Sequence, residues 1–511
     1  YPDSSVFRDW ERKDSLPSVY VTAEVGMVDF KGLNLTWRRS YKQLHFDSFE
    51  IRNPDIQVFN PYYSTRAEVK ERKEAETKTL YEVVSPYINV LTVRMLNLEN
   101  ASVSYSVENP VSPIVYALND VSFHAYGFRL DENSSESGKL LYCDNFDFIT
   151  KRSQTLLTNN DFRLQTDRIL LSTEDSIISI SNITLTPQGE LWGEQKKRPD
   201  SYLNALVRAI EVKGIQFRRE NALNYLTARS FDIISSDIQA FNLAGESLPS
   251  AKKTEKKSLN EAEADSLVRS LSLYELISPV LHTVSIGTVG IGQAKLQYSF
   301  AVKDKIEVYK LANFDFQAND FRIDSVSEAQ RGFWYSRGFS FEATGIEGLM
   351  TARNHRFTVK RMTLDTESGD FNLERIRLYP LSVCGQNDYM AGSIDTVGIR
   401  GLLYDKGISA RLLKIDRPNL RYVLFSSFNK KDVKSVKPAN SRVDVESILN
   451  PFLRYFSVKR LSLNHAYVTI DDKSMSDPVT YKLNDFNFFA TGIWVNRQTG
   501  KGSGLFFDYG N

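Results

Sequence analysis

Residues 273–300 read LYELISPVLHTVSIGTVGIGQAKLQYSF, and they open a segment that this chain carries more than once. Residues 273–380 align without a gap on residues 80–187, and the shared positions include a Leu-Tyr-Glu triplet, a Ser-Pro pair and a series of aromatic residues. A gapless internal match of this length indicates tandem duplication, so the repeat determines the architecture of the whole chain.

A third copy begins late in the chain and is shorter. Pro451 aligns with Pro279, and the sequence ends inside this copy. The early part of each unit also recurs, which places unit boundaries near residues 200 and 383. We expect an internal or processed piece of a longer repeat protein. Its three β repeat units, of which the third is truncated, lie at 1–200, 201–383 and 384–511.

One local pattern recurs in all three units. Two apolar residues lie at alternate positions, a spacer of two residues follows, and two more apolar residues lie at alternate positions, as in Val284, Ile286, Val289 and Ile291. Alternation with a period of two predicts a strand with one apolar face. The spacer shifts the phase by one residue, so we expect a bulge or bend that returns both halves to the same face.

Almost all of each unit fits this strand pattern, so the sequence predicts a mainly β protein. We expect the units to be long and mostly antiparallel, and to join into an elongated curled sheet that forms an open groove. An array of closed β-sandwiches, one for each unit, fits the same pattern and stays open as the alternative.

Each unit also contains a charged segment of variable sequence. These segments lie at 62–79, 243–271 and 426–446. At the end of the middle segment, Leu267, Leu271 and Tyr274 follow helical spacing, which predicts a short amphipathic helix. The residue before a proline disfavours the helical backbone, so we expect one short helix in each unit that ends at a proline. The residue pairs that end these helices are Ser85-Pro86, Ser278-Pro279 and Asn450-Pro451.

Composition excludes several classes of function. The formal charge is +1, from 64 basic and 63 acidic residues, whereas a nucleic-acid-binding protein carries a basic patch or stripe. No run approaches the roughly 18 consecutive apolar residues of a membrane-spanning helix. The two cysteines, Cys143 and Cys384, are too few for a disulfide framework or a cysteine-rich metal site, and whether they pair is left open.

No set of residues has the spacing of a catalytic or metal site. The histidines lie apart from one another and from the cysteines, so we expect each to be packed or solvated rather than a metal ligand. They are His45, His124, His282, His355 and His465. Gly287, Gly290 and Gly292 resemble a phosphate-binding loop, but the residues that follow predict a strand where such a loop requires a helix.

Acidic residues recur after an aromatic-rich strand, as Asp131 and Asp324, and the third copy has Asn496 at the equivalent position. An amide in one copy fits a turn or a strand cap better than it fits a catalytic acid or a calcium ligand. We therefore predict a protein that is not an enzyme and has no catalytic residue, no metal and no cofactor.

The most informative recurring residues are aromatic. Many of them lie at alternate positions of predicted strands, so they share one face. They either fill the core of a sandwich or line an apolar concavity that runs along the stacked units and suits acyl chains. In the second interpretation, the candidate lipid-groove residues are Phe123, Phe128, Phe314, Phe316, Phe321, Phe486, Phe488 and Ile493.

Three segments carry a shared frame, V-x-x-L-x-L-x-x-A-x-V-x-Y, with a few replacements. They are VRMLNLENASVSYSV at 93–107, IGTVGIGQAKLQYSF at 286–300 and VKRLSLNHAYVTI at 458–470. The frame resembles the strand pairs of AsmA-like and TamB-like envelope proteins. Through the repeats, this resemblance covers most of the chain.

The resemblance implies an open β-groove in an elongated, twisted sheet. Proteins of this family are anchored in the inner membrane of Gram-negative bacteria, cross the periplasm and bridge lipid, mainly phospholipid, towards the outer membrane. We therefore expect a periplasmic, non-enzymatic lipid-transport protein, anchored by a segment outside this chain. Its expected partners are lipid acyl chains and the membranes, or their proteins, at its two ends. The alternative is a structural or adhesive envelope protein with closed cores.

Overall fold

A computed structural model describes the strand-rich parts of the chain. The described residues are 20–38, 41–61, 80–108, 114–134, 139–157, 162–187, 201–220, 223–242, 281–302, 305–330, 335–382, 388–404, 408–425, 455–474 and 477–496. They form one mixed sheet of 25 strands. The two α-helices within these ranges are α1 (Leu80–Val84) and α2 (Ser325–Gln330). The prediction of a mainly β protein is confirmed.

The sheet begins with β1 (Tyr20–Lys31), β2 (Asn34–Arg38) and β3 (Tyr41–Pro61). Both β1 and β2 pair antiparallel with β3, so together they form one interrupted edge strand. Gly32 lies in the interruption with a φ of 64°, a left-handed backbone conformation that glycine adopts at little steric cost.

An antiparallel block follows between residues 90 and 242. Its strands are β4 (Val90–Glu108), β5 (Ile114–Leu130), β6 (Asn145–Thr150), β7 (Arg152–Leu157), β8 (Phe162–Thr166), β9 (Arg168–Ser172), β10 (Ile177–Pro187), β11 (Ser201–Lys213), β12 (Gln216–Glu220) and β13 (Leu223–Asn242). In places two short strands share one position, as β6 and β7 do beside β5. Because β10 pairs with β11, the sheet continues past residue 200.

A second antiparallel block follows between residues 283 and 424. Its strands are β14 (Thr283–Val302), β15 (Lys305–Ile323), β16 (Gly338–Met350), β17 (His355–Asp365), β18 (Asp370–Pro380), β19 (Tyr389–Arg400), β20 (Leu403–Tyr404), β21 (Ile408–Ala410), β22 (Leu412–Asp416) and β23 (Asn419–Leu424). The last hairpin is β24 (Tyr455–Asp472) and β25 (Val479–Asn496). Because β18 pairs with β19, the sheet also continues past residue 383.

Parallel pairs join these antiparallel blocks. β3 pairs with β4, β13 pairs with β14, and β21, β22 and β23 together pair with β24. A parallel pair cannot be closed by a tight turn and needs a long connection. The charged segments of the sequence fall in these connections, at positions outside the described residues.

Three hairpins share one irregularity. In β4–β5, β14–β15 and β24–β25 the register shifts on both sides of a buried alanine. These alanines are Ala101, Ala294 and Ala466, and the residue before each has a positive φ. A bulge bends a strand and increases its twist, so the three hairpins are bent at equivalent positions.

The two halves of the sequence pattern lie on one face, as predicted, also in strands whose register does not shift. Val359 and Met362 lie on either side of the spacer in β17, and both belong to a cluster around Ile346. The same cluster contains Leu373 and Ile376, which flank the spacer in β18. Both halves of these strands therefore contribute to the same apolar surface.

The sheet does not close on itself. Within the described ranges, β1 and β2 pair only with β3, and β25 pairs only with β24. A closed sandwich requires two opposed sheets, but the described strands belong to one sheet. The continuity of the sheet past residues 200 and 383 favours the open sheet over separate β-sandwiches in this part of the chain.

The helix prediction is confirmed at one of its three positions. Helix α1 ends at Val84, directly before Ser85-Pro86. The other two predicted helix ends lie outside the described residues. Helix α2 follows β15 and was not predicted.

Candidate apolar binding face

Strand register aligns apolar side chains into rows that cross the sheet. In one such row each residue lies directly opposite the next. This row, which we call the long row, runs from β9 to β25 through Ile169, Ile180, Ile210, Ile233, Ile291, Phe316, Phe341, Leu364, Phe371, Ile399, Leu413, Leu461 and Ala490. Directly opposite side chains on one face contact each other, so apolar contact continues from strand to strand.

A second apolar row runs beside the long row. From β14 to β25 it consists of Ala294, Phe314, Ala343, Met362, Leu373, Val397, Ile415, Leu463 and Phe488. We call the surface formed by these rows and their neighbours the apolar face of the sheet.

The opposite side of the same strands, the polar face, carries hydrogen-bonding side chains. One of its rows consists of Asn313, Thr344, Arg361, Glu374, Thr396, Asp416 and Asn464. Arg361 donates two hydrogen bonds to Glu342, at 2.8 and 2.9 Å, and Asn464 donates one to Asp416 at 2.8 Å. This face is chemically suited to contact with water.

The apolar face is partly open to solvent. Its three clusters of buried apolar residues each come from one region of the sheet, with Cys143, just before β6, as the member outside the strands. Phe316 and Phe341 are only half-buried, although strands flank both of them. Apolar residues in a closed core are normally fully buried, so the described residues provide no second layer over this part of the face.

The structure distributes the predicted lining residues along the apolar rows. Phe316 lies in the long row, and Phe314 and Phe488 lie in the second row. Phe123 and Phe128 pack against one buried cluster with Ala125. All of these except Phe488 are half-buried, and Phe488, in the edge strand β25, is 44% exposed.

The remaining predicted lining residues have different surroundings. Phe486 lies opposite the buried Ala466. Phe321 contacts the ring of Tyr335 with the two centroids 6.4 Å apart. Ile493 is buried within a cluster that includes Val458. Their position on one face follows from the register, whereas their role in lining a lipid groove stays a prediction.

Two cavities of different chemistry open on the sheet. One, of about 370 Å³, lies at β13 to β16, and its apolar lining includes Ile238, Leu296, Tyr298, Tyr309, Leu311 and Ile346. The other, of about 910 Å³, is lined by carboxylates of the polar face together with residues of the long row. Two of those carboxylates already have cationic partners, because Glu211 pairs with Lys213 and Glu342 pairs with Arg361.

Asp131 caps the turn after β5, as predicted, whereas Asp324 caps the start of α2 by accepting hydrogen bonds from the Val326 and Ser327 N–H groups. The Arg129 guanidinium, 2.6 Å from Asp131, holds the pKa of that carboxyl below its usual range, and Ser134 assists. Burial alone would raise the pKa of Asp324, but hydrogen bonds from Ser327 and Arg322 outweigh burial and lower it.

The other predicted polar residues have ordinary local partners. His45 lies 2.8 Å from the Thr92 hydroxyl and His465 lies 2.8 Å from Asp485, so these histidines are engaged separately. Cys143 donates a hydrogen bond to the Leu141 carbonyl, and burial raises the pKa of its thiol to about 11. Cys384 lies outside the described residues. Gly287, Gly290 and Gly292 all lie within β14, as the strand prediction requires.

Sequence reasoning missed a set of tyrosines near one end of the apolar face. Tyr298 and Tyr309 are directly opposite each other and line the apolar cavity. Tyr105 and Tyr116 are opposite each other in β4 and β5, with ring centroids 6.0 Å apart. The signal was present in the sequence, since these tyrosines occupy equivalent positions in the first two copies.

Comparison with known proteins gives no assignment, because no family model and no curated protein matches this chain. None of the helices in the described ranges is long and apolar enough to cross a membrane. Over the same residues, no three His, Cys, Asp or Glu side chains are grouped as ligands of a metal ion.

Proposed function

We propose that this protein binds lipid acyl chains along its apolar face and conducts them passively across the bacterial cell envelope. The long row supports this proposal, because apolar side chains continue from β9 to β25 on a face that no second sheet covers in the described part of the chain. Large exposed apolar surfaces mark binding sites, and each Å² removed from water contributes about 25 cal/mol.

Acyl chains fit this surface because they are long, flexible and without hydrogen-bonding groups. Each buried methylene contributes about 0.8 kcal/mol. The same types of side chain recur from strand to strand, so the binding free energy changes little when a chain shifts along the sheet. The proposed mechanism is sliding over low barriers, with no chemical step, no catalytic residue and no cofactor.

The cellular setting of this proposal rests on the resemblance to AsmA-like and TamB-like proteins. By this resemblance we propose that the protein lies in the periplasm, that phospholipid is its cargo, and that a segment outside this chain anchors it in the inner membrane. Membranes, or proteins within them, supply lipid at one end and accept it at the other. The direction of transport then comes from these partners.

Native mass spectrometry of the purified protein tests the proposal. We expect lipid to be retained by the wild type. Phe316→Glu places a carboxylate in the long row, and because burying a charge is costly we expect about tenfold less bound lipid. Gln317→Glu is the matched control, since it adds the same charge one residue away on the polar face, and we expect unchanged binding.

Absence of lipid from the wild type, or an equal loss in both variants, contradicts the proposal. The alternative, a structural or adhesive protein with closed cores, gives a different expectation for Phe316→Ala. A core phenylalanine costs about 3–5 kcal/mol when truncated to alanine. Phe316 is half-buried, so we expect a smaller loss than this.

A further inference from the structure

Tyrosines are concentrated near one end of the strands on the apolar face, which we call the tyrosine end. This is the end where β4, β14 and β24 finish and where β5, β15 and β25 begin. The register places Tyr105 opposite Tyr116, Tyr298 opposite Tyr309, and Ile470 between Tyr422 and Tyr481. The three hairpins therefore carry this feature at equivalent positions.

The other end of the same strands is aliphatic and closed, and we call it the closed end. Its strand residues are buried to between 2% and 9% exposure: Val93, Leu130, Val284, Ile323, Val458 and Ile493. Residues beyond the strands help to cover it, because Tyr142 contacts Phe128 and Tyr335 contacts Phe321. At the tyrosine end, in contrast, Tyr298 is 44% exposed and Tyr481 is 58% exposed.

We propose, on the basis of the lipid-binding function above, that polar head groups of bound lipids lie at the tyrosine end and that their acyl chains extend towards the closed end. Tyrosine suits a boundary of this kind, because its ring is apolar and its hydroxyl forms hydrogen bonds with water or with a head group. At the closed end the strand side chains on this face are aliphatic and buried instead.

The dimensions of the face agree with this orientation. Seven residues separate Tyr298 from Ile291 in the long row, which corresponds to about 23 Å along a strand. Acyl chains in one leaflet of a bilayer occupy about 15 Å. A lipid with its head group at Tyr298 therefore places its chain over the second row, and the chain ends about 8 Å (23 − 15) before the level of Phe316. The apolar cavity at Leu296 and Leu311 lies on this path.

Two tryptophan reporters test the orientation. Tyr298→Trp places a reporter at the tyrosine end, and Phe316→Trp places one in the long row. Each variant is incubated with vesicles of phosphatidylcholine that carries a nitroxide quencher either on the head group or at the end of an acyl chain. The wild type, with its five native tryptophans, is measured in parallel and subtracted.

We expect the head-group quencher to act at least about twofold more strongly on the Tyr298→Trp reporter than on the Phe316→Trp reporter, because a side chain contacts only the part of a bound lipid that lies beside it. The chain-end quencher should give the reverse order. Equal or reversed profiles overturn the orientation but leave lipid binding intact. No quenching in either variant, together with no lipid in native mass spectrometry of the wild type, overturns the proposed function itself.

A second measurement addresses the tyrosine hydroxyl directly. The variant Tyr298→Phe keeps the ring and removes the hydroxyl, whereas the Tyr309 hydroxyl already donates a hydrogen bond to Glu307. We expect about threefold weaker binding of phosphatidylcholine, the size of a net hydrogen bond, and unchanged binding of an alkane without a head group. Tyr379→Phe, on the polar face, is the control. Equal effects on the phospholipid and the alkane overturn the head-group assignment.

Discussion

Phe316 and Gln317 are neighbours in β15, yet they lie on faces of different chemistry. Phe316 belongs to a row of apolar side chains that continues to the edge strand β25. Gln317 lies among hydroxyls, amides and charged groups, where ion pairs such as Arg361 with Glu342 are exposed to water. The polar face contacts water, whereas the apolar face packs side chains together and is partly open. Packing and the proposed binding therefore share one side of a single layer.

The largest stability difference between the faces is expected at Ile346 and Glu347. Ile346 is buried in a cluster with Ala343 and Val359. Ile346→Ala should cost about 2–3 kcal/mol, because it removes buried methyl groups and leaves a gap. Glu347 forms an exposed ion pair with Arg356, so Glu347→Ala should change stability by about 0.5 kcal/mol or less.

Urea denaturation of both variants, followed by fluorescence, measures this difference. Amide hydrogen exchange in β15 to β17 shows whether the loss is local. Similar costs for Ile346→Ala and Glu347→Ala would contradict the assignment of the two residues to faces that pack differently.

A smaller effect is expected at two alanines of the β14–β15 hairpin. Ala294 is 1% exposed at the bulge and lies opposite Phe314. Ala294→Leu inserts methyl groups where there is no room and should cost about 2 kcal/mol. Ala312 is exposed, so Ala312→Leu should be nearly neutral. Thermal unfolding of the two variants measures this difference in stability. If Ala294→Leu leaves the stability unchanged, the bulge can expand to accept the larger side chain.

The smallest effect concerns the capping carboxylates. The pKa of Asp131 and that of Asp324 are lowered in the folded protein. A lowered pKa contributes stability that is complete above the unfolded value of about 3.9 and is lost as the pH falls through the folded value. Asp131→Asn and Asp324→Asn keep a capping oxygen but remove the charge, so each should cost about 1 kcal/mol at pH 7.

Acid titration of the folded state provides the readout for these two variants. Below about pH 4, the free energy of unfolding of the wild type should fall towards that of the two variants, because the carboxylates of the wild type become protonated. Glu342→Gln, on the exposed polar face, is the control and should leave the acid-induced loss of stability nearly unchanged. If the wild type and the Asn variants differed in stability by the same amount at every pH, the charge of these carboxylates would play no part in their capping role.

The strands and their shared apolar face could be predicted from the sequence because side-chain alternation reports which side of a strand is buried. The spacer pattern of β17 and β18 is a clear case, since residues on both sides of each spacer pack in one cluster. The turn role of Asp131 was also predictable, because an amide replaces the acid in one copy, whereas the helix that Asp324 caps was not predicted.

The parallel joins could not be predicted in the same way. Alternation assigns a residue to a face, but it does not identify the neighbouring strand. β3 and β4 are separated by a charged segment whose sequence gives no pairing signal. The sequence prediction also relied too heavily on aromatic residues as markers of the apolar face. Much of that face consists of alanine, isoleucine and leucine. Ile346 and Ala343 belong to it as fully as Phe314 does.

The parallel joins have a consequence for the rate of folding. In the β14–β15 hairpin the pairing begins with Val302 and Lys305, whereas Tyr225 of β13 pairs with Thr283, 58 positions later (283 − 225). Each doubling of loop length costs about 0.6 kcal/mol of closure entropy. Closing the loop of this join therefore costs about 2–3 kcal/mol more than closing the loop of the hairpin. Contacts between distant residues form slowly, and we expect the hairpins to form first and the joins last. The continuity of the apolar face then depends on pairings that form later than the hairpins.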